Sequence, residues 1–178
     1  SEYYGVVFRK EVALQAEPRW RCPAGVDPAK DPRPACGVLI RTNAGDNPFW
    51  LIGIHVLWSQ TEAQREQNIA ALAPQIQGML GNEAVQDRVL LGDFNVEPKS
   101  ARDKWAALTK GPPAMQRLTD EQDTNITGSG TSAHYSSSYD HILLTAAHLE
   151  RFTGEVVRVD PLKYAPDLAD FKSKVADH

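Results

Sequence analysis

The polarity pattern of this chain changes period several times. Apolar residues alternate with polar ones, or run together briefly, over Tyr3–Arg9, Gly37–Arg41, Phe49–Leu57, Arg88–Phe94, Tyr139–Thr145 and Gly154–Val159, several of them rich in β-branched or aromatic side chains. A repeat of two built from such residues predicts half-buried strands. Over Thr61 to Leu80 the period lengthens, and Ile69, Leu72, Ile76 and Leu80 define one apolar helix face. Ser59 or Thr61 would cap that helix with Glu62 and Gln64 as capping-box partners, Pro74 would bend it, and Gly81-Asn82 would stop it. A shorter helix is expected over Ser100 to Leu108, with Ser100 and Asp103 at its N-terminal end. Asp120 to Ser138 is dominated by Thr, Ser, Gly, Asn and Asp and reads as a surface loop, long enough to be functional. Strands mixed with two amphipathic helices give a layered α/β or α+β domain.

Size and charge narrow the function. The 178 residues fit a single domain over 1–178 with one sizeable core. A formal net charge of -4 argues against a broad basic surface that holds nucleic acid by neutralising its phosphates. It leaves room for a nuclease whose positive charge is confined to a cleft and a bound cation, with local contacts from the basic residues near 9–10, 19–21, 30–33 and 99–104. No apolar stretch approaches the roughly 20 residues that cross a bilayer. The start Ser1-Glu2-Tyr3-Tyr4 does not resemble a signal peptide, although a trimmed product would have lost one, so localisation stays open. Cys22 and Cys36 bracket a Pro- and Gly-rich segment and are either a disulfide, which would favour a secreted or extracytoplasmic protein, or two thiols. Nothing in the pattern sets an oligomeric state.

Candidate chemistry begins at Leu90-Leu91-Gly92-Asp93-Phe94-Asn95, where an apolar run breaks at a glycine. Residues two apart on a strand share a face, so Asp93 and Asn95 converge. Alone, the segment is equally a strand running into a turn. His55 ends the run Ile52-Gly53-Ile54, Asp140 lies in Ser138-Tyr139-Asp140-His141, and Asp177-His178 closes the chain. Each has a bland reading by itself: a hydrogen-bonded rim histidine, a strand cap, a loose tail. His134, His141 and His148 have weaker claims to substrate, and His141 should face away from Asp140. Trp50 and Trp58 read as packing residues, with an exposed Trp58 able to stack a base. Arg9, Lys10 and Arg65 read as solvated charges.

In chain order, His55, Asp93 with Asn95, Asp140 and then Asp177-His178, preceded by Tyr4-Gly5-Val6-Val7-Phe8-Arg9-Lys10, resemble the motifs of the endonuclease/exonuclease/phosphatase superfamily, the deoxyribonuclease I-like fold. The resemblance implies a four-layer α/β sandwich of two facing mixed β-sheets with outer helices. It also implies roles. Asp93 would orient and deprotonate the attacking water, and Asn95 would donate its amide to the phosphate. His178 would stabilise phosphoryl charge or move a proton, with Asp140 fixing its tautomer. His55 would protonate the leaving group or brace the phosphate. Asp177 would be the carboxylate ligand of a hard divalent ion, Mg²⁺ first, with Mn²⁺ or Ca²⁺ as substitutes.

The chain departs from that pattern at both ends. Family members carry an Asn and a metal-binding Glu, in a Gln-Glu context, before the strand that Tyr4–Arg9 resembles, and a further strand after the Asp-His pair. The expectation is therefore about the C-terminal two-thirds of such a domain, without its first strands, truncated just after the final Asp-His, and completed by an N-terminal segment or a separate chain. The function expected is Mg²⁺-dependent phosphodiester hydrolysis by a deoxyribonuclease I-like nuclease of low sequence specificity, with DNA the favoured partner, held through its backbone. The same motifs suit RNA, or a sphingomyelinase-like or inositol-phosphatase-like phosphoesterase. The missing Glu motivates a third reading, a non-catalytic binding module of the same fold.

Overall fold

A computed structural model describes residues 5–6, 20–25, 34–41, 47–58, 61–111, 114–119, 122–152, 154–156 and 160–174. Its strands are β1 (Trp20–Arg21), β2 (Cys36–Ile40), β3 (Phe49–His55), β4 (Arg88–Asp93), β5 (Met115–Arg117), β6 (Asn125–Ser129), β7 (Ser132–Ser136) and β8 (Asp140–Thr145). Its helices are α1 (Glu62–Leu80), α2 (Arg102–Lys110), α3 (Ala146–Leu149) and α4 (Leu168–Lys174). Six strands form one mixed sheet in the order β1-β2-β3-β4-β8-β5, and β6 and β7 pair as a separate hairpin. Only the β3–β4 ladder is parallel among these pairings. A parallel pair needs a long crossover, which α1 supplies.

Alternation along β3 sends Trp50, Ile52 and Ile54 to one face of the sheet, where they meet Ile69, Leu72, Ile76 and Leu80 of α1 and Trp105 and Leu108 of α2. That face is the main core. Phe49, Leu51, Gly53 and His55 point to the other side, as the half-buried members of the same alternation. The expected α/β layering is present, with one large sheet and its helix layer. The second large sheet of a four-layer sandwich is not among the described residues.

The ends of α1 follow from its sequence. The Thr61 hydroxyl accepts the Gln64 N–H at 3.3 Å while the Gln64 side chain accepts the Thr61 N–H at 2.9 Å, a reciprocal capping box. Pro74 lies inside the helix, which continues through it to Leu80 before Gly81, whose N–H bonds the Gln77 carbonyl at 2.7 Å. For α2 the start differs from expectation. The Ser100 hydroxyl donates to the Glu97 carbonyl at 2.9 Å, closing the preceding turn, and the helix begins at Arg102 after an Ala101 cap with no side-chain bond.

Three further expectations are corrected. Asp120–Ser138 is not simply a loop: it holds the β6–β7 hairpin, in which Ile126 faces Tyr135. Ile126 packs with Leu168 and Phe171 of α4, so a single inward residue per strand organises an otherwise polar ribbon. Gly154–Val159 is not strand over its described residues 154–156, and 157–159 lie outside the described residues. Of Tyr3–Arg9 only Gly5 and Val6 are described, without strand structure. The two-residue β1 and three-residue β5 were too short to show a period.

Cys22 and Cys36 form a disulfide. It ties the residue after β1 to the first residue of β2, so the outer hairpin of the sheet is covalently closed. No described helix is long and apolar enough to cross a membrane. Replacing both cysteines by serine is expected to lower the unfolding free energy by about 3 kcal/mol, the loop-closure value for a loop this short, read as a lower urea midpoint. An unchanged midpoint would show that the edge holds without the bridge.

Candidate active site

Register, more than any loop, builds the site. His55 is the last residue of β3 and lies opposite Asp93, the last residue of β4, which lies opposite Asp140, the first of β8. Paired residues on adjacent strands point to the same face, so three side chains distant in sequence stand in a row. That face is the one away from α1 and α2. His55 Nε2 lies 3.8 Å from Asp93 Oδ2, with the imidazole more open to solvent than the carboxylate.

Gly92 makes the row possible. Its φ is +141°, and a Cβ there would fall on the Ile54 carbonyl, far inside contact distance. Only glycine lets β4 approach β3 so closely at this point. The next residues close a turn on themselves. Asp93 Oδ1 accepts the Asn95 N–H at 2.8 Å, and Oδ2 accepts the Asn95 side-chain amide at 2.9 Å. The other amide hydrogen serves the Val56 carbonyl at 2.7 Å. An amide has two N–H donors, so in this arrangement Asn95, 5 % exposed and at φ 51°, gives both to the protein and none to a ligand. Arg65 of α1 fastens the turn from outside, its Nε donating to the Asn95 carbonyl at 2.9 Å.

Asp140 is positioned by a residue outside the recognisable motifs. The Thr124 hydroxyl accepts the backbone N–H groups of Tyr139 and Asp140 at 3.2 and 2.9 Å. A lone Thr in a polar stretch gives no signal of this in sequence. Asp177 and His178 lie outside the described residues.

The other candidates separate clearly. His141 does turn away from Asp140. It is buried on the helix side, edge-on to Trp105 and Phe94 at 5.0 and 5.6 Å between ring centroids. Its Nε2 faces the Ser138 carbonyl at 3.0 Å and its Nδ1 the Thr119 hydroxyl at 2.8 Å. A carbonyl only accepts, so Nε2 carries hydrogen, and a neutral ring accepts at Nδ1. His148 packs on Phe49 at the far end of the sheet, where burial lowers its pKa from the usual value against the opposing pull of Asp87. His134 sits on β7 of the hairpin. Trp50 is core, but Trp58 is 58 % exposed, carries the Arg65 guanidinium 4.5 Å above its ring and lies 5.6 Å from Tyr139.

No family model matches the chain, and a sequence search of curated proteins finds no match. Solved structures do match. The human Nocturnin catalytic domain, with bound sulfate anion, aligns with a TM-score of 0.52 at 10% identity, over 74% of this chain and 47% of that one. The chain shares its α/β fold with that domain. D. rerio TDP2 complexed with single-strand DNA product aligns with a TM-score of 0.47 at 16% identity, covering 73% of this chain and 52% of that one. The endonuclease/exonuclease/phosphatase protein from Bacteroides vulgatus gives 0.42 at 20% identity, covering 64% and 44%. The chain thus spans about half the length of the solved structures it matches.

Asp93 and Asp140 bring hard oxygen donors to one face, but no group of three or more His, Cys, Asp or Glu among the described residues is placed to hold an ion. Two carboxylates alone fall short of the six oxygens that Mg²⁺ takes.

Gly92→Ala is expected to cost about 3 kcal/mol or more and to abolish the His55–Asp93 pairing. A denaturant midpoint within error of the parent would show that the close approach at Ile54 is not required.

Proposed function

We propose that this chain carries the catalytic face of a phosphodiesterase, acting as a deoxyribonuclease I-like nuclease of low sequence specificity. The observation that carries the reading is the row His55, Asp93 and Asp140 across three neighbouring strand ends, in a chain of this fold. Support for a phosphate-like ligand comes from the Nocturnin domain, which holds a sulfate anion, a tetrahedral oxyanion like phosphate.

Asp93 is the residue proposed to take the proton of the attacking water as its oxygen bonds to phosphorus and the bond to the leaving oxygen breaks. Asn95 keeps that carboxylate aimed, as a positioning residue. In-line displacement puts the attacking and leaving oxygens on opposite sides of phosphorus. At 3.8 Å from Asp93, His55 is on the attacking side and suits bracing the phosphate better than protonating the leaving group. The leaving-group proton is assigned to His178, with Asp140 fixing its tautomer. Dependence on a divalent ion, Mg²⁺ with Mn²⁺ or Ca²⁺ as substitutes, is part of the proposal and rests on Asp177. DNA is favoured over lipid because the exposed Trp58, with the Arg65 guanidinium over its ring, sets an aromatic and a cation side by side, suited to a base and its phosphate.

The test is nicking of supercoiled plasmid and hydrolysis of bis(p-nitrophenyl) phosphate by the full-length protein. Asp93→Asn is expected to lower kcat by about 10²- to 10⁴-fold, the range of a general base, with the circular dichroism spectrum unchanged. Retained activity in that variant overturns the assignment, and turnover of sphingomyelin or a phosphoinositide but not of plasmid replaces DNA as the substrate. Chelation by EDTA is expected to remove activity and added Mg²⁺ to restore it; hydrolysis that persists in EDTA removes the metal from the proposal.

A further inference from the structure

Beyond the catalytic row, past the turn after β4, lies a cavity of about 440 Å³ whose walls include Glu97, Lys99, Arg102, Arg117, Asp123 and Ser138. Its charge is uneven, with three cations against two carboxylates. Lys99 Nζ pairs with Glu97 Oε2 at 2.8 Å, and the Arg117 guanidinium sits 5.2 Å from the centre of the Trp105 ring. The ring and the carboxylate fix two of the three cations in the cavity wall.

The deciding feature is Ser138. It is 6 % exposed, and its Oγ is buried with no hydrogen-bond partner. A buried hydroxyl left unsatisfied is costly, and such groups in native structures mark a ligand or water. Here the hydroxyl borders a cavity lined by arginine and lysine, so the complementary ligand accepts hydrogen bonds and carries negative charge. A phosphate group, with several acceptor oxygens, fits forked guanidinium donors and a hydroxyl together.

Ser138 precedes Asp140 by two positions, roughly 7 Å of extended chain. We propose that this cavity is a second phosphate subsite, which takes a phosphate of the substrate neighbouring the one that is cleaved. The inference rests on the phosphoesterase reading above for what stands at Asp93 and Asp140. It makes substrates with two or more phosphates the preferred class. The second phosphate has two sources, the next link of a polynucleotide backbone or the second group of a bisphosphorylated small molecule.

The first measurement needs no turnover. In full-length protein carrying Asp93→Asn, titration with inorganic phosphate is expected to shift the backbone amide resonances of Lys99, Arg102 and Ser138. Adding Arg102→Gln should raise the half-saturating concentration about tenfold, the loss of one charge-assisted contact. Ser138→Ala should weaken phosphate in the same direction without lowering the melting temperature, since it removes a hydroxyl that has no partner. A merely structural serine would instead lower the melting temperature and leave phosphate binding alone, which would overturn the proposal, as would resonances that do not move.

The second measurement is kinetic. In Arg102→Gln with Asp93 intact, the KM of short oligothymidylate or of a hexose bisphosphate, each divided by that of bis(p-nitrophenyl) phosphate, should rise about tenfold. A rise for the oligonucleotide alone identifies the backbone phosphate as occupant, and a rise for the bisphosphate alone identifies the small molecule. Ratios equal to the parent's for both overturn the subsite. Failure of the catalytic reading has a different signature, because Asp93→Asn would then remain active while the phosphate titration still reports on the cavity.

Discussion

The close approach of two backbones at Gly92 is the constraint on which the site depends. Because no side chain stands between β4 and the Ile54 carbonyl, the parallel ladder runs on to its last rung, where Asp93 meets His55. The Val56 N–H then bonds the Asp93 carbonyl at 2.9 Å, and the Phe94 N–H bonds the Tyr139 carbonyl at 2.8 Å, so the strand end is held from both flanks. Any Cβ at position 92 would push β4 away from β3, and the carboxylate, its Asn95 turn and the Arg65 brace would move together.

The sheet divides its labour by face. On one side the alternation of β3 and β4 meets the helices and supplies the hydrophobic stabilisation. On the other, the same alternation carries polar groups at the strand ends. Side chains on ladder ends are as rigid as the sheet, whereas Trp58, Ser138 and the basic groups after Glu97 come from connections, the parts of a fold that vary most.

How much of this was legible in the sequence depends on how local each signal is. The helix over Glu62–Leu80 was readable because its cap, its apolar positions and its stop all lie within one stretch of chain. The row of His55, Asp93 and Asp140 was readable because strand-end residues with period two can share a face, although pairing across strands is not written in any one segment. The hairpin was hidden because Ile126 is the one buried side chain described in β6, among hydroxyls and a glycine. The bonding of Asn95 was also hidden. Its amide was expected on the phosphate, but the left-handed turn folds it back toward Asp93 and Val56, a choice set by backbone conformation. The Cys22–Cys36 bridge stood open until β1 and β2 were paired, since two cysteines alone leave both states available.

Holding His55, Asp93 and Asp140 by interstrand register has an evolutionary corollary. The segments joining β3 to β4 and β4 to β8 contain helices, turns and a hairpin, and of these Arg65, the Asn95 turn and Thr124 brace the strand ends; the spacing of His55, Asp93 and Asp140 itself is a property of the ladders. Insertions and deletions that spare those three contacts would leave the trio in place. Descendants of one ancestral sheet could therefore remodel the surrounding loops while the row of polar side chains stayed fixed.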